Sequence, residues 1–191
     1  MENLVACIVA LQGLLVGQSV SMVEDRWLDG FHNRLGTCLE VAEEAERQSV
    51  PVPLAIAVAW NESKFYDGAR SRAGAIGPMQ ILPKYHCPNR AEKGCDLVKY
   101  GIAALKKYLK KYEDSYVALC HYNAGNKCTK KSVMYAKRVQ KLRFRLEVSL
   151  MAFGSEMPRG GMNLYDEDPD DGFDEEFDDE GDAAPSSDEP P

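Results

Sequence analysis

Apolar positions along this chain recur mostly at helical spacing and seldom at the two-residue spacing of a strand. The clearest run takes Val98, Ile102, Leu105, Leu109 and Tyr112 at intervals of three and four, with Lys106, Lys107, Lys110 and Lys111 on the remaining face. It predicts an amphipathic helix whose lysines form a solvated face, usable by an anionic polymer. Upstream, Thr37 is placed to cap a helix carrying Cys38, Leu39, Val41, Ala42 and Ala45, and Val50-Pro51-Val52-Pro53 ends it. Pro53 suits the first turn of the next helix, where its missing N–H is not needed. That helix, Leu54 to about Glu62, is apolar on every side and is predicted to lie at the centre of the domain. From Arg70 to Gly94 the pattern is loop and turn, with a short strand expected at Ala75–Ile81. Ser115 opens a helix ending near Asn123-Ala124-Gly125, and Ser132 is placed to cap a last helix carrying Val133, Tyr135, Val139, Leu142 and Leu146. The fold class is mainly α, one domain with a small irregular or short-strand lobe.

Charge divides the chain. Residues 22–164 carry all 23 Lys and Arg against 15 acidic residues, a net of +8, whereas residues 165–191 carry 14 acidic residues and no basic one. The acidic segment repels itself and has little apolar surface to bury, so a disordered tail is expected. Tyr165, Phe173 and Phe177 within it would suit a docking peptide, although a solubilising extension is the simpler reading. The expected organisation is a hydrophobic N-terminal segment at 1–21, a lead-in at 22–36, the domain at 37–150, a linker at 151–164 and the tail at 165–191.

Leu4 to Gly17 is nearly all apolar, too short to span a bilayer comfortably and of the length of a secretory signal core, with cleavage expected near Ser21. The preceding residues carry Glu2 and no positive charge, so the signal is a weak one; it is favoured here over an anchor or a buried first helix. Cysteine usage also points to export. With Cys7 set aside as part of that segment, Cys38, Cys87, Cys95, Cys120 and Cys128 remain. In an oxidising compartment each bridge would add roughly 2–4 kcal/mol. The odd count leaves one thiol over, and spacing alone does not fix the pairing. His86 and His121 adjoin cysteines, but neither pair has the gap usual in zinc sites, so no metal is expected.

The chemistry concentrates at Glu62. This single carboxylate closes the apolar helix and faces a loop rich in small residues, Gly68 to Gly77, that leads into Pro78-Met79-Gln80-Ile81. Apolar surroundings and the carbonyl end of the helix would both raise its pKa, as proton delivery to a glycosidic oxygen requires. Gly77 permits close backbone approach, Gln80 offers amide donors and an acceptor, Met79 offers adaptable apolar surface, and Tyr122 and Tyr135 each join an aromatic face to a hydroxyl. Each alone is as readily structural; their ordered co-occurrence is the signal. Nothing suggests a phosphate loop or a DNA-recognition helix, so no nucleic acid and no cofactor is expected.

Glu62-Ser63, then Ser71 with Gly74-Ala75-Ile76-Gly77-Pro78-Met79-Gln80-Ile81, then His121-Tyr122-Asn123-Ala124-Gly125, then Tyr135-Ala136-Lys137-Arg138-Val139 resemble the four motifs of lytic transglycosylases. The resemblance spans roughly Thr37 to Leu146 and implies a fold like that of goose-type lysozyme, acting on peptidoglycan glycan strands outside the cytoplasm, in the periplasm, the cell envelope or a virion. It implies cleavage of the β-1,4 bond between N-acetylmuramic acid and N-acetylglucosamine, with Glu62 as acid and then base. Ser63 would hold Glu62, Ser71 would contact the muramoyl sugar, Met79, Gln80, Tyr122 and Asn123 would line the cleavage subsite, and Tyr135 would hydrogen-bond Glu62. Small cysteine-containing members accompany secretion systems, pili and phage infection, and a partner from such a machine could engage the acidic tail. By the same resemblance Cys38 would pair with Cys95 and Cys120 with Cys128, leaving Cys87. Pro78 and His121 stand where the family commonly has Leu and Ala. The rival readings are a hydrolytic muramidase of the same fold, for which Asp67 or Asp96 would have to position water, and a non-catalytic peptidoglycan-binding scaffold.

Overall fold

The computed structural model describes residues 2–15 and 25–154. The linker from 155 onward and the acidic tail lie outside the described residues. Among these there are seven α-helices and no strand: α1 (Glu2–Leu15), α2 (Asp25–Arg47), α3 (Val52–Ser63), α4 (Pro83–His86), α5 (Leu97–Lys111), α6 (Ser115–Ala124) and α7 (Lys130–Gly154). The architecture is the mainly helical one that the apolar spacing predicts.

Helix α3 is the axis of the domain. Leu54 through Val58 and Ala59 are all at most 1% exposed, as an all-apolar helix must be if it is to be stable in water. Helices α1, α2 and α7 pack around it, α6 packs on both α7 and α5, and α5 reaches back to α2. Pro53 sits in the first turn of α3, and Asp96 and Asp114 cap α5 and α6 by accepting from Lys99 N (2.9 Å) and Tyr116 N (2.6 Å).

Two caps differ from expectation. Thr37 lies inside α2, where its hydroxyl donates back to Asn33 O at 3.0 Å, the alternative that Thr takes in a helix interior. Phe31 and Leu35 pack on the core in register with Cys38 and Ala42, so the helical period begins well before Thr37. Helix α7 is capped by Thr129, three residues before Ser132. Thr129 N donates to Ser132 Oγ (2.7 Å) and Ser132 N to Thr129 Oγ1 (3.2 Å), a reciprocal box in which Ser132 is the inner partner. The expected strand at Ala75–Ile81 reduces to isolated bridges, Arg70 with Ile76 and Ile76 with Ile81. Left-handed backbone at Gly77 and Gln80 reverses the chain too sharply for a ladder to extend.

The largest departure is at the N-terminus. Helix α1 buries Ala6, Cys7, Ala10 and Leu11, and Cys7 is bonded to Cys38 of α2. The structure therefore shows the buried first helix that the sequence reading set below a signal segment. An apolar run of this length suits a core helix as well as a signal core. The remaining bridges are Cys87–Cys95 and Cys120–Cys128, with no free cysteine. The Cys38–Cys95 pairing is thus incorrect, and Cys87 is not left over. Restoring Cys7 to the domain makes the count even and gives Cys38 a partner with a Cα–Cα distance of 5.8 Å. Replacing Cys7 with Ser should lower stability by roughly 2–4 kcal/mol. Thermal melts with and without reductant check this: the wild type should fall to the variant's Tm on reduction of this bridge, and an unchanged Tm in Cys7→Ser would show that α1 is not held by it.

Candidate active site

Glu62 sits in the last turn of α3, where the chain makes an unusual exit. Lys64 and Phe65 are both left-handed, at φ 57° and 61°, a conformation that costs a non-glycine residue energy and persists only when its surroundings enforce it. Three contacts do so. Phe65 is buried against Trp60 with ring centroids 5.7 Å apart, Lys64 N donates to Trp60 O, and Arg34 donates to Lys64 O at 2.5 Å. Ser63 Oγ donates to Pro78 O at 3.0 Å and accepts from Tyr66 N at 3.1 Å. Its hydroxyl therefore fastens the end of α3 to the loop that follows, instead of holding the Glu62 side chain as the resemblance implies.

Burial pushes the Glu62 carboxyl up to about 7, against an ordinary 4.5, and the nearby Tyr135 hydroxyl pulls in the opposite direction. Glu62 in turn raises Tyr135 and Tyr122, both of which burial already holds well above their usual range. The three side chains thus share one enclosed site, brought from α3, α6 and α7. Tyr135 is 4% exposed, and its Oη satisfies hydrogen-bond geometry with no acceptor among the described residues. Tyr135 and Glu62 are close enough to influence each other's ionisation, although no hydrogen bond of full geometry joins them. That is a usual state for a catalytic contact before substrate arrives.

The loop opposite is built by close contacts. Gly77 has φ +75°, and a Cβ there would lie 2.8 Å from Leu97 Cβ, so both the turn and the approach require glycine. Tyr122 Oη donates to Met79 O at 2.7 Å, which ties α6 to the loop. The Met79 side chain is fully buried and points at Gly101 of α5, where a Cβ would come within 2.4 Å of Met79 Cβ. Met79 thus belongs to the core and contributes its backbone to the site. Gln80, at φ 47°, spends its amide donor on Gly77 O (2.9 Å) and Ala69 O (3.2 Å). Its carbonyl oxygen has no partner among the described residues and is left to accept from a ligand.

Ser71 closes its own turn, accepting from Ala75 N at 3.0 Å, and Asn123 is exposed near the end of α6. His121 stacks on Tyr112 at 4.3 Å and donates from Nδ1 to Gly125 O at 2.7 Å, so the residue that replaces the family's Ala caps its own helix. The cysteines beside His86 and His121 are in disulfides, and among the described residues no cluster of metal-ligating side chains forms. Asp67 accepts from Gly68 N and Asp96 caps α5; neither acts on the ionisation of Glu62. Sequence reasoning missed Gly101, although a lone glycine inside a strong helical pattern usually marks a close contact.

Among the described residues no helix is long and apolar enough to cross a membrane. No curated protein and no solved structure matches the chain. The family model for the transglycosylase SLT domain matches residues 40–144, from α2 to α7, with Glu62, the Met79 loop, Tyr122 and Tyr135 all inside the match. With more than half of the chain covered and a proton-holding carboxyl at the centre of the matched region, the protein belongs to the transglycosylase SLT family, the lytic transglycosylases of peptidoglycan.

Proposed function

We propose that this protein cleaves the β-1,4 bond between N-acetylmuramic acid and N-acetylglucosamine by intramolecular transglycosylation, with Glu62 as its acid and base. The observation that carries this reading is a carboxyl held near pKa 7 by burial, with no second carboxylate acting on it among the described residues. Protonated Glu62 gives its proton to the leaving glycosidic oxygen as the bond to the anomeric carbon breaks. The muramoyl N-acetyl oxygen covers that carbon, so no carboxylate nucleophile is needed. Glu62, now a carboxylate, takes the proton of the sugar's own 6-hydroxyl, whose oxygen closes onto the anomeric carbon and displaces the N-acetyl group. The products carry a 1,6-anhydromuramoyl end, no water is consumed, and Glu62 is protonated again.

Tyr135 Oη, buried beside Glu62 without a full bond, donates to the carboxylate once it forms. Gln80 accepts from a sugar hydroxyl or amide, Asn123 and Ser71 contact the sugars from the exposed rim, and Tyr122 and Gly77 hold the Met79 backbone in place. We place this activity in the envelope or in a virion, as local wall opening for a secretion, pilus or phage-infection machine, with the acidic tail as the segment offered to a partner.

Mass spectrometry of muropeptides released from purified peptidoglycan tests the reading. Products one water lighter than reducing muropeptides are expected. Reducing ends would make the protein a hydrolytic muramidase, and tight binding without release would make it a scaffold.

A further inference from the structure

Helix α7 buries Tyr135, Ala136, Val139 and Leu146 in the core and turns its opposite side to solvent. That side is not the ordinary charged surface of an amphipathic helix. Met134, Phe144 and Met151 stand on it at 52%, 66% and 73% exposure. Lys137, Arg138 and Arg145 stand between them and are also exposed. At 3.6 residues per turn these six fall within an arc of about 140° of the helix surface. The helix carries seven Lys and Arg against one acid, Glu147, which lies outside the arc and accepts from Arg143 Nε at 2.8 Å. Exposed apolar residues scattered singly call for no explanation, but these are grouped. Of the eight large apolar residues exposed among the described residues, three are on this arc. Two more, Leu4 and Ile8, are one turn apart on α1, which packs on α7.

We propose that the outer face of α7 docks on an anionic phospholipid surface, lying along it without crossing it. Charge and apolar side chains together argue for this occupant. An anionic polymer in water would be held by the cations alone and would leave Phe144 and Met151 exposed. At a bilayer surface the aromatic ring and the thioethers enter the boundary between headgroups and acyl chains. The Lys and Arg heads then reach outward on their apolar stems to the lipid phosphates. Charges are screened beyond about 8 Å at physiological ionic strength, so a membrane responds to the local cation excess of α7 and not to the net charge of the chain. Docking of this kind does not depend on turnover at Glu62. It would hold the domain where membrane and wall meet.

Flotation of the full chain with lipid vesicles tests this. Vesicles of phosphatidylethanolamine and phosphatidylglycerol should carry the protein up the gradient, and vesicles of phosphatidylcholine should not. The binding should weaken as salt rises. Lys137→Gln and Arg145→Gln should each weaken it about fivefold and Phe144→Ser about tenfold, the scale of one interfacial charge and of one buried aromatic side chain. All three positions are exposed, so these variants should keep the wild-type Tm and release muropeptides from purified peptidoglycan at the wild-type rate. Phe144→Trp should gain an emission that shifts to the blue on adding anionic vesicles, which a purely electrostatic contact would not produce. Equal binding to both kinds of vesicle, or binding to neither, overturns the proposal. A loss confined to the charge variants, with Phe144→Ser binding like the wild type, also overturns it and would make α7 a site for an anionic polymer instead.

Discussion

Glu62→Gln should abolish release of anhydro-muropeptides, with a fall in kcat of about 10³-fold or more, because in the proposed reaction one group supplies both proton transfers. The wild type should show its own pH signature. The reactive form of the free enzyme is the protonated carboxyl, so kcat/KM should be flat at acidic pH and fall about tenfold per unit once the pH passes about 7. A limb falling instead from pH 4.5 would mean that Glu62 ionises as an ordinary surface carboxylate. The same shift has a cost in stability. The folded state holds the Glu62 proton more tightly than the unfolded chain does. Its contribution is therefore fully present below about 4.5 and is lost as the pH rises through about 7. A shift of that size corresponds to about 3 kcal/mol at most. Glu62→Gln cannot ionise, so at pH 8 it should resist urea better than the wild type while being inactive, and at pH 4 the two should be alike. An inactive variant that is also less stable at pH 8 would place Glu62 in a structural role.

Gly101→Ala should do most damage among substitutions remote from the catalytic carboxyl. The added methyl would meet Met79 Cβ and Cγ at 2.4 and 2.6 Å. Met79 has little room to yield, since its carbonyl is held by Tyr122 and its loop is fixed by the Gly77 turn and by Ser63 on Pro78 O. Overpacking of this kind costs about 1–3 kcal/mol, or roughly 2–12 °C in Tm at about 2–4 °C per kcal/mol for a domain of this size. Because the displaced backbone is the floor of the site, turnover should fall by about tenfold or more even well below the melting temperature. A stable and fully active Gly101→Ala protein would show that α5 does not position the loop.

Much of this arrangement was legible in the sequence, and what was missed has physical causes. The all-apolar run from Leu54 and the three-and-four spacing from Val98 left little choice of helix or face. Glu62 stood out because it was the only carboxylate closing a buried run. Side-chain direction was not legible. Met79 and Gln80 are neighbours, yet one is fully buried and the other has its amide donor tied to two carbonyls, a difference set by left-handed backbone at Gln80. Ser63 could have held the carboxyl or the loop, and only tertiary packing puts Pro78 O within its reach. The disulfides failed on a premise: removing Cys7 left Cys38 to find a partner farther along the chain.

Helix α1 packs against α7 as well as against α2 and α3. The buried face of α1 is therefore fully covered only once α7 is in place. Tyr135, carried on α7, arrives with that same closure. A chain that stops before α7 lacks both the cover over α1 and a member of the proposed site, so such a product should expose apolar surface and release no muropeptides. Covering of the core and assembly of the proposed site are thus a single step, set by the docking of α7.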